Sequence, residues 1–173
     1  GCTVSRTNLW RKPYYKDDPN YMSTPNFVRG RTPENVLEEM KVVKQRYGVN
    51  MLRINDDDFP YDERWLQRFA DLMTDEAKLP YKCFVNPNSV NERTARLMAQ
   101  TGCEQIQMGV QSMNPTLRKA MGRPMPEKII ARAIECIRKE GIGLFCDQIY
   151  GLPGETEDDY KSMVSFYRRN PTD

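Results

Sequence analysis

The sequence predicts an α/β fold built on a parallel β-sheet. Short apolar runs near positions 50, 81, 104 and 142 read as strands, and each is followed by an amphipathic helical pattern. Each run also ends in a polar or glycine-rich segment. Four successive β-then-α units favour a parallel sheet with right-handed crossovers. Open doubly wound and barrel arrangements both satisfy that order. In either, polar residues at the carboxyl ends of the strands face the ligand.

The first helix is expected to start at Thr32-Pro33-Glu34, which supplies a capping hydroxyl, a proline at the first helical position and an acid in the first turn. Val36, Leu37, Met40, Val43 and Tyr47 then share one face, and Gly48 ends the helix. The run 50–54 reads as a strand leading into the acidic cluster Asn55-Asp56-Asp57-Asp58. Asp62 caps a second helix whose apolar face is Trp65, Leu66, Phe69, Leu72 and Met73, with Pro80 beyond its end. A strand over 81–85 follows, then a helix opened by Asn91-Glu92 and running through Leu97 and Met98 to Gly102. The run 104–110 is the next strand, with Gln111-Ser112 at its exit. A short helix over 115–121 precedes a longer one from Pro126, whose buried stripe is Ile129, Ile130, Ala133, Ile134 and Ile137, and Gly141 stops it. The last strand, 142–150, runs into Gly151-Leu152-Pro153-Gly154. The final helix is capped by Thr156 with Asp159 three residues on, and its Tyr160, Met163, Val164 and Phe166 are expected in the core.

Composition narrows the chemistry. The 173 residues suffice for one domain, and 26 Lys plus Arg against 24 Asp plus Glu leave no charge surplus for bulk nucleic-acid binding. No stretch has the roughly 18 consecutive apolar residues of a membrane span, and no apolar signal segment opens the chain, so a cytoplasmic setting is expected. Histidine is absent, which excludes imidazole general bases, Ser-His and Cys-His nucleophile pairs and histidine metal sites within these residues. Five widely spaced cysteines, Cys2, Cys83, Cys103, Cys136 and Cys146, do not form a disulfide framework; the last four are expected as buried structural thiols. Residues 10–27 show no helical period and read as a long loop, in which Trp10, Tyr14, Tyr15 and Tyr21 either meet substrate or cover the end of the sheet.

The strand exits are Asn55-Asp56-Asp57-Asp58, Asn86-Pro87-Asn88, Gln111-Ser112, and Asp147-Gln148 leading to Gly151-Leu152-Pro153-Gly154-Glu155-Thr156. Together with Arg31-Thr32-Pro33-Glu34-Asn35-Val36, Asp56-Asp57-Asp58-Phe59 and Met108-Gly109-Val110-Gln111-Ser112, their order and spacing resemble the radical S-adenosylmethionine (radical SAM) superfamily. The resemblance is closest to the subset associated with cobalamin-binding domains. It runs from about position 29 to the end of the chain.

That resemblance implies a partial (β/α)6 TIM-like barrel, here without its first strand and last unit, in which residues 1–30 form a cluster-side loop region and residues 31–173 the βα repeats. It implies a 4Fe-4S cluster held by a Cys-x3-Cys-x2-Cys loop, with S-adenosylmethionine on the fourth iron. One-electron reduction by a donor such as flavodoxin or ferredoxin then gives a 5'-deoxyadenosyl radical, for hydrogen abstraction or methyl or sulfur transfer on an unknown substrate. Cobalamin would enter through a domain absent from this chain. By the same resemblance Asp56 and Asp57 meet the methionyl ammonium, and Asn86 stands where relatives place an arginine for the methionyl carboxylate. Gln111 and Ser112 approach the ribose hydroxyls, and the backbone from Gly151 to Gly154 approaches adenine.

Cys2 is the candidate cluster ligand, in one of two alignments. As first ligand it would call for cysteines at positions 6 and 9, where Arg6 and Leu9 stand; as last ligand its partners would lie three and seven residues upstream, in a chain that is a fragment. The rival readings are a barrel without a cluster that serves as a binding or scaffold module, favoured by Arg6 and Leu9, and an unrelated α/β enzyme that takes a phosphate-bearing ligand at the turn around Gly154. Two cysteines at the upstream positions of the complete reading frame would favour the enzyme over the scaffold.

Overall fold

The computed structural model describes residues 30–60 and 62–173. Its elements are α1 (Pro33–Tyr47), β1 (Leu52–Arg53), α2 (Glu63–Leu72), β2 (Tyr81–Val85), a 3-10 turn (Pro87–Ser89), α3 (Glu92–Gln100), β3 (Cys103–Gln111), α4 (Pro115–Ala120), α5 (Glu127–Lys139), β4 (Gly143–Gln148) and α6 (Glu157–Arg169). The four strands are all parallel and lie in the order β1-β2-β3-β4.

This order decides between the two arrangements that periodicity left open. A doubly wound sheet reverses its strand order midway and carries helices on both faces. Here the order never reverses, and right-handed crossovers repeated in one direction put every helix on the same side. Among the described residues the sheet is therefore an arc of a barrel wall, not closed on itself, with helices outside and a concave face inside.

Side-chain alternation follows. Tyr81, Cys83 and Val85 of β2, Ile106, Met108 and Val110 of β3, and Leu144 of β4 are buried in the core. They meet Leu66 and Phe69 of α2, Met98 of α3, and Ile130, Ala133, Ile134 and Ile137 of α5 in that core. The alternate residues, among them Arg53, Lys82, Phe84, Gln107, Gly109, Phe145 and Asp147, belong to the opposite, concave face.

Most caps are as the sequence predicts. Thr32 accepts from the Asn35 N–H, Asp62 from the Arg64 N–H, and Asn91 and Thr156 each form a reciprocal capping box. Pro126 caps α5 by position alone, without a side-chain hydrogen bond. Two apolar assignments are corrected. Tyr47 is 67% exposed, because it ends α1 beside Gly48 and lies under the Arg46 guanidinium, 5.6 Å from its ring centroid. Tyr160 is 53% exposed and packs on Tyr150 rather than in the core, which α6 enters through Phe166. The first strand is shorter than the run 50–54 because Met51 and Ile54 fall outside the ladder, although the Ile54 N–H still donates to the Lys82 carbonyl at 2.8 Å.

Cys83 and Cys103 are buried with sulfurs 3.8 Å apart, and their mutual hydrogen bond together with burial pushes the Cys83 thiol far up. Cys136 is buried, and Cys146 is half-buried with its thiol pushed up to about 12 by burial. These are structural thiols, as expected.

Arg118 is a buried cation that the helical pattern does not reveal. It is 2% exposed, its Nε donates to the Met125 carbonyl at 3.1 Å and a terminal nitrogen donates to the Ser112 carbonyl at 2.7 Å. It ties the exit of β3 to the loop before α5. Replacing it with methionine keeps bulk but leaves both carbonyls without this donor, a loss of about 2–3 kcal/mol, and lysine, lacking the guanidinium fork, recovers only part of it. Urea denaturation of Arg118→Met and Arg118→Lys checks this; equal stability of Arg118→Met and the parent would refute it.

Candidate functional site

The carboxyl ends of all four strands converge on one rim of the concave face. The loop after β1 owes its shape to two anchors. Phe59, 5% exposed, donates its N–H to the Phe84 carbonyl at 2.8 Å and sits edge-on to Trp65, Phe69 and Tyr81. Asp58 accepts from the Asn86 N–H at 2.8 Å and from the Ser89 hydroxyl at 2.7 Å, clasping the β1 and β2 exits together. Asp56 and Asp57 are left exposed at the tip between these anchors and the strand.

Burial holds the Asp58 carboxyl above its ordinary value of 3.8, against the hydrogen bonds from Ser89 and Asn86 and the attraction of the Arg123 guanidinium. At the exit of β2, the Asn86 side-chain oxygen accepts the Asn88 N–H at 3.0 Å and the Asn88 side-chain amide at 3.1 Å. That orients the Asn86 amide so that its NH2 group is the donor left to a ligand.

At the exit of β3 the register shifts between Gly109 and Gln111, a bulge against β4. Gln111 takes φ 74°, a conformation that a side chain adopts only under local constraint. Its carbonyl accepts the Ile149 N–H at 2.8 Å, which holds that conformation. Gly109 lies beneath. A Cβ there would come within 2.8 Å of the Gln111 side-chain nitrogen and 3.2 Å of an Arg123 terminal nitrogen. Arg123 also donates to the Gly109 carbonyl at 3.0 Å. Bare backbone at 109 thus lets an amide and a guanidinium meet on the rim.

Ser112 is 3% exposed, and its oxygen accepts the Asn114 N–H at 3.1 Å. At the β4 exit, Gly151 and Gly154 have φ 74° and 85° with nothing within 4 Å of an added Cβ, so glycine serves the turn's conformation there. Glu155 closes this turn by accepting the Gly151 N–H at 2.6 Å and the Leu152 N–H at 3.3 Å. These two amides, at the start of the turn, are thereby taken by a carboxylate. Asp147 points onto the concave face, where both its oxygens accept from Gln107, whereas Gln148 turns outward to Tyr167 of α6.

The structure therefore brings Asp56, Asp57, Asn86, Gln111, Gly151 and Gly154 to one rim, with Ser112 tucked under it; Cys2, Trp10, Tyr14, Tyr15 and Tyr21 lie outside the described residues. Among the described residues no group of three Cys, Asp or Glu side chains could hold a metal. The sequence reading missed Arg123 and named Asp58 only within its acidic motif, without a role. Arg123 sits on no strand exit; its one signal is a lone arginine between Gly122 and two close prolines, Pro124 and Pro126.

These features define the polar rim of a parallel βα arc. The Radical SAM superfamily pattern matches residues 2–167, and the chain belongs to that superfamily, whose cofactors are a 4Fe-4S cluster and S-adenosylmethionine. Relatives include an uncharacterized methyltransferase of Pyrococcus horikoshii, 23% identical over 82% of this chain and 31% of its own length. A tRNA-2-methylthio-N(6)-dimethylallyladenosine synthase of Carboxydothermus hydrogenoformans is 27% identical over 82% of this chain and 34% of its own length. Among solved structures, the radical S-adenosylmethionine methyltransferase TsrM of Kitasatospora setae, with cobalamin and a [4Fe-4S] cluster bound, superposes with a TM-score of 0.71 at 19% identity, covering 82% of this chain and 29% of that one. Coproporphyrinogen III oxidase of Escherichia coli gives 0.65 at 20% identity, covering 81% and 35%. These likenesses bear on the fold. The chain spans about a third of the length of these relatives. No helix among the described residues is long and apolar enough to cross a membrane.

Asp58 gives a test of the rim. Asp58→Ala leaves the Asn86 N–H and the Ser89 hydroxyl without this acceptor and lowers unfolding free energy by about 1–3 kcal/mol. Its raised folded-state pKa makes the folded protein hold a proton that the unfolded chain releases. The proton-linked part of its contribution is thus full below 3.8 and is lost as pH rises through the raised value, while the two accepted hydrogen bonds remain. Asp58→Asn removes this slope, which urea titrations across the acidic range measure; an unchanged slope would count against the assignment.

Proposed function

We propose that this chain is the cofactor-holding core of a radical SAM enzyme that transfers a methyl or sulfur-containing group. The observation that carries the reading is the Gly109 cradle, where the Gln111 amide and the Arg123 guanidinium converge. The relatives' methyltransferase and methylthio-synthase names support the transferase reading.

The described residues fit S-adenosylmethionine. Arg123 supplies the cationic donor for the methionyl carboxylate that the β2 exit, with Asn86, lacks, and the Asn86 NH2 adds a neutral hydrogen bond. Asp56 and Asp57, exposed and uncommitted to the clasp, face the methionyl ammonium. Gln111 serves the ribose hydroxyls, and Ser112 positions it by holding the turn after β3. The turn locked by Glu155 offers its backbone to adenine.

The cluster ligands belong to the segment around Cys2, and when bound, cluster and cofactor supply one-electron chemistry with electrons from a flavodoxin- or ferredoxin-like donor. The chain's own part is to orient the cofactor and to present the substrate from the concave face. A cobalamin-binding domain joined to this core would suit the transferase reading.

Full-length protein made anaerobically and reconstituted with iron and sulfide is expected to show a charge-transfer band at about 400 nm. Once reduced, it should cleave S-adenosylmethionine. Absence of the band would instead support a barrel without a cluster. Gly109→Ala and Arg123→Gln should keep the band yet weaken S-adenosylmethionine binding ~10-fold or more, the loss of about one charge-assisted hydrogen bond. Undiminished binding in both variants would remove the cradle from the cofactor site.

A further inference from the structure

We infer that the concave face below the rim holds an oxyanion of the substrate, a carboxylate or phosphate, between Arg53 and Lys82. The inference rests on the reading of this face as the active-site interior. Arg53 and Lys82 are register partners on adjacent parallel strands. Like charges placed directly opposite destabilise a sheet, and an acid is the usual remedy. Neither cation forms an ion pair among the described residues. An acid on this face, Asp147, is held instead by the Gln107 amide, whose nitrogen lies 3.0 and 2.9 Å from its two oxygens.

Arg53 is held ready rather than free. Its guanidinium carbon sits 4.8 Å from the centroid of the Phe84 ring, and one terminal nitrogen lies 3.4 Å from the Gln107 side-chain oxygen. Gln107 can accept from Arg53 only because its nitrogen faces Asp147, so the carboxylate sets the amide and the amide sets the cation. Ring stacking leaves the guanidinium edge, with most of its five donors, to a ligand.

The register also separates this site from the cofactor. Arg53 pairs with Lys82, and Lys82 with Gln105, yet the Arg53 guanidinium reaches Phe84 and Gln107 one row nearer the rim. The Gly109 level lies one row higher again, paired with Asp147. At about 3.3 Å per residue, each row is about 7 Å. An anion at Arg53 and Lys82 therefore lies beneath the methionyl carboxylate position and is a different group from the one Arg123 would hold.

Titration calorimetry of inorganic phosphate and of malonate into the full-length protein tests this without requiring the cluster. Saturable binding of at least one anion is expected, weakened ~10-fold or more by Arg53→Gln/Lys82→Gln and unchanged by the surface control Lys139→Gln. Tighter phosphate binding identifies a phosphorylated substrate, and tighter malonate binding a carboxylate one. S-adenosylmethionine affinity of the double variant should stay within about twofold of the parent, which also shows that it is folded. No saturable anion binding, or equal binding by the double variant, would overturn the inference. So would a parallel loss of S-adenosylmethionine binding, which would assign the cations to the cofactor. Failure to take up a cluster would sink the functional reading while leaving the anion result intact.

Discussion

The handedness of the crossover governs everything else in this molecule. Because each helix returns on the same side and the strands follow in sequential order, among the described residues the sheet has one face sealed by helices and one that is not. Apolar alternate residues seal the first face with Tyr81, Cys83, Val85, Ile106, Met108, Val110 and Leu144. The remaining alternates are then free to be polar, and that freedom is what a site needs. The core and the concave face are the two parities of the same strands.

The rim is held by interactions that do not themselves touch a ligand. Asp58 joins the first two exits, Arg118 fixes the third to the loop before α5, and Glu155 closes the fourth. Each satisfies polar groups that strand ends would otherwise leave unpaired. Local rigidity is thereby bought without apolar cover, so Asp56, Asp57, Asn86 and Gln111 remain available above. The strained backbone at Gln111 belongs to the same arrangement, since the bulge that produces it sets the Gln111 amide against Gly109 and Arg123.

The arc also sorts its charges by height. Guanidinium and amide groups sit at the rim around Gly109, level with Asp147, and two cations without an ion pair among the described residues are rooted two rows lower on β1 and β2, the Arg53 guanidinium rising one row to Gln107. A cofactor at the rim and a substrate beneath it would be kept apart by the sheet's own repeat distance.

Much of this was legible in the residues alone. Helix starts at Thr32, Asp62, Asn91 and Thr156 are local hydrogen-bond decisions, so caps and spacing suffice to place them. Strand exits are likewise local, and the ordered motifs they carry pointed to the superfamily that the pattern over residues 2–167 then established. Periodicity left barrel and doubly wound sheet both open; the resemblance implied the barrel, and strand order then decided for it, because that order is a property of pairing between distant segments. Tertiary structure alone brought Arg123 to Gly109 and set Arg53 over Phe84, contacts between residues 14 and 31 positions apart that no period encodes. It also parted Asp58 from its two neighbours: three adjacent aspartates are alike in sequence, and only the position of the β2 exit makes one a clasp and leaves two exposed.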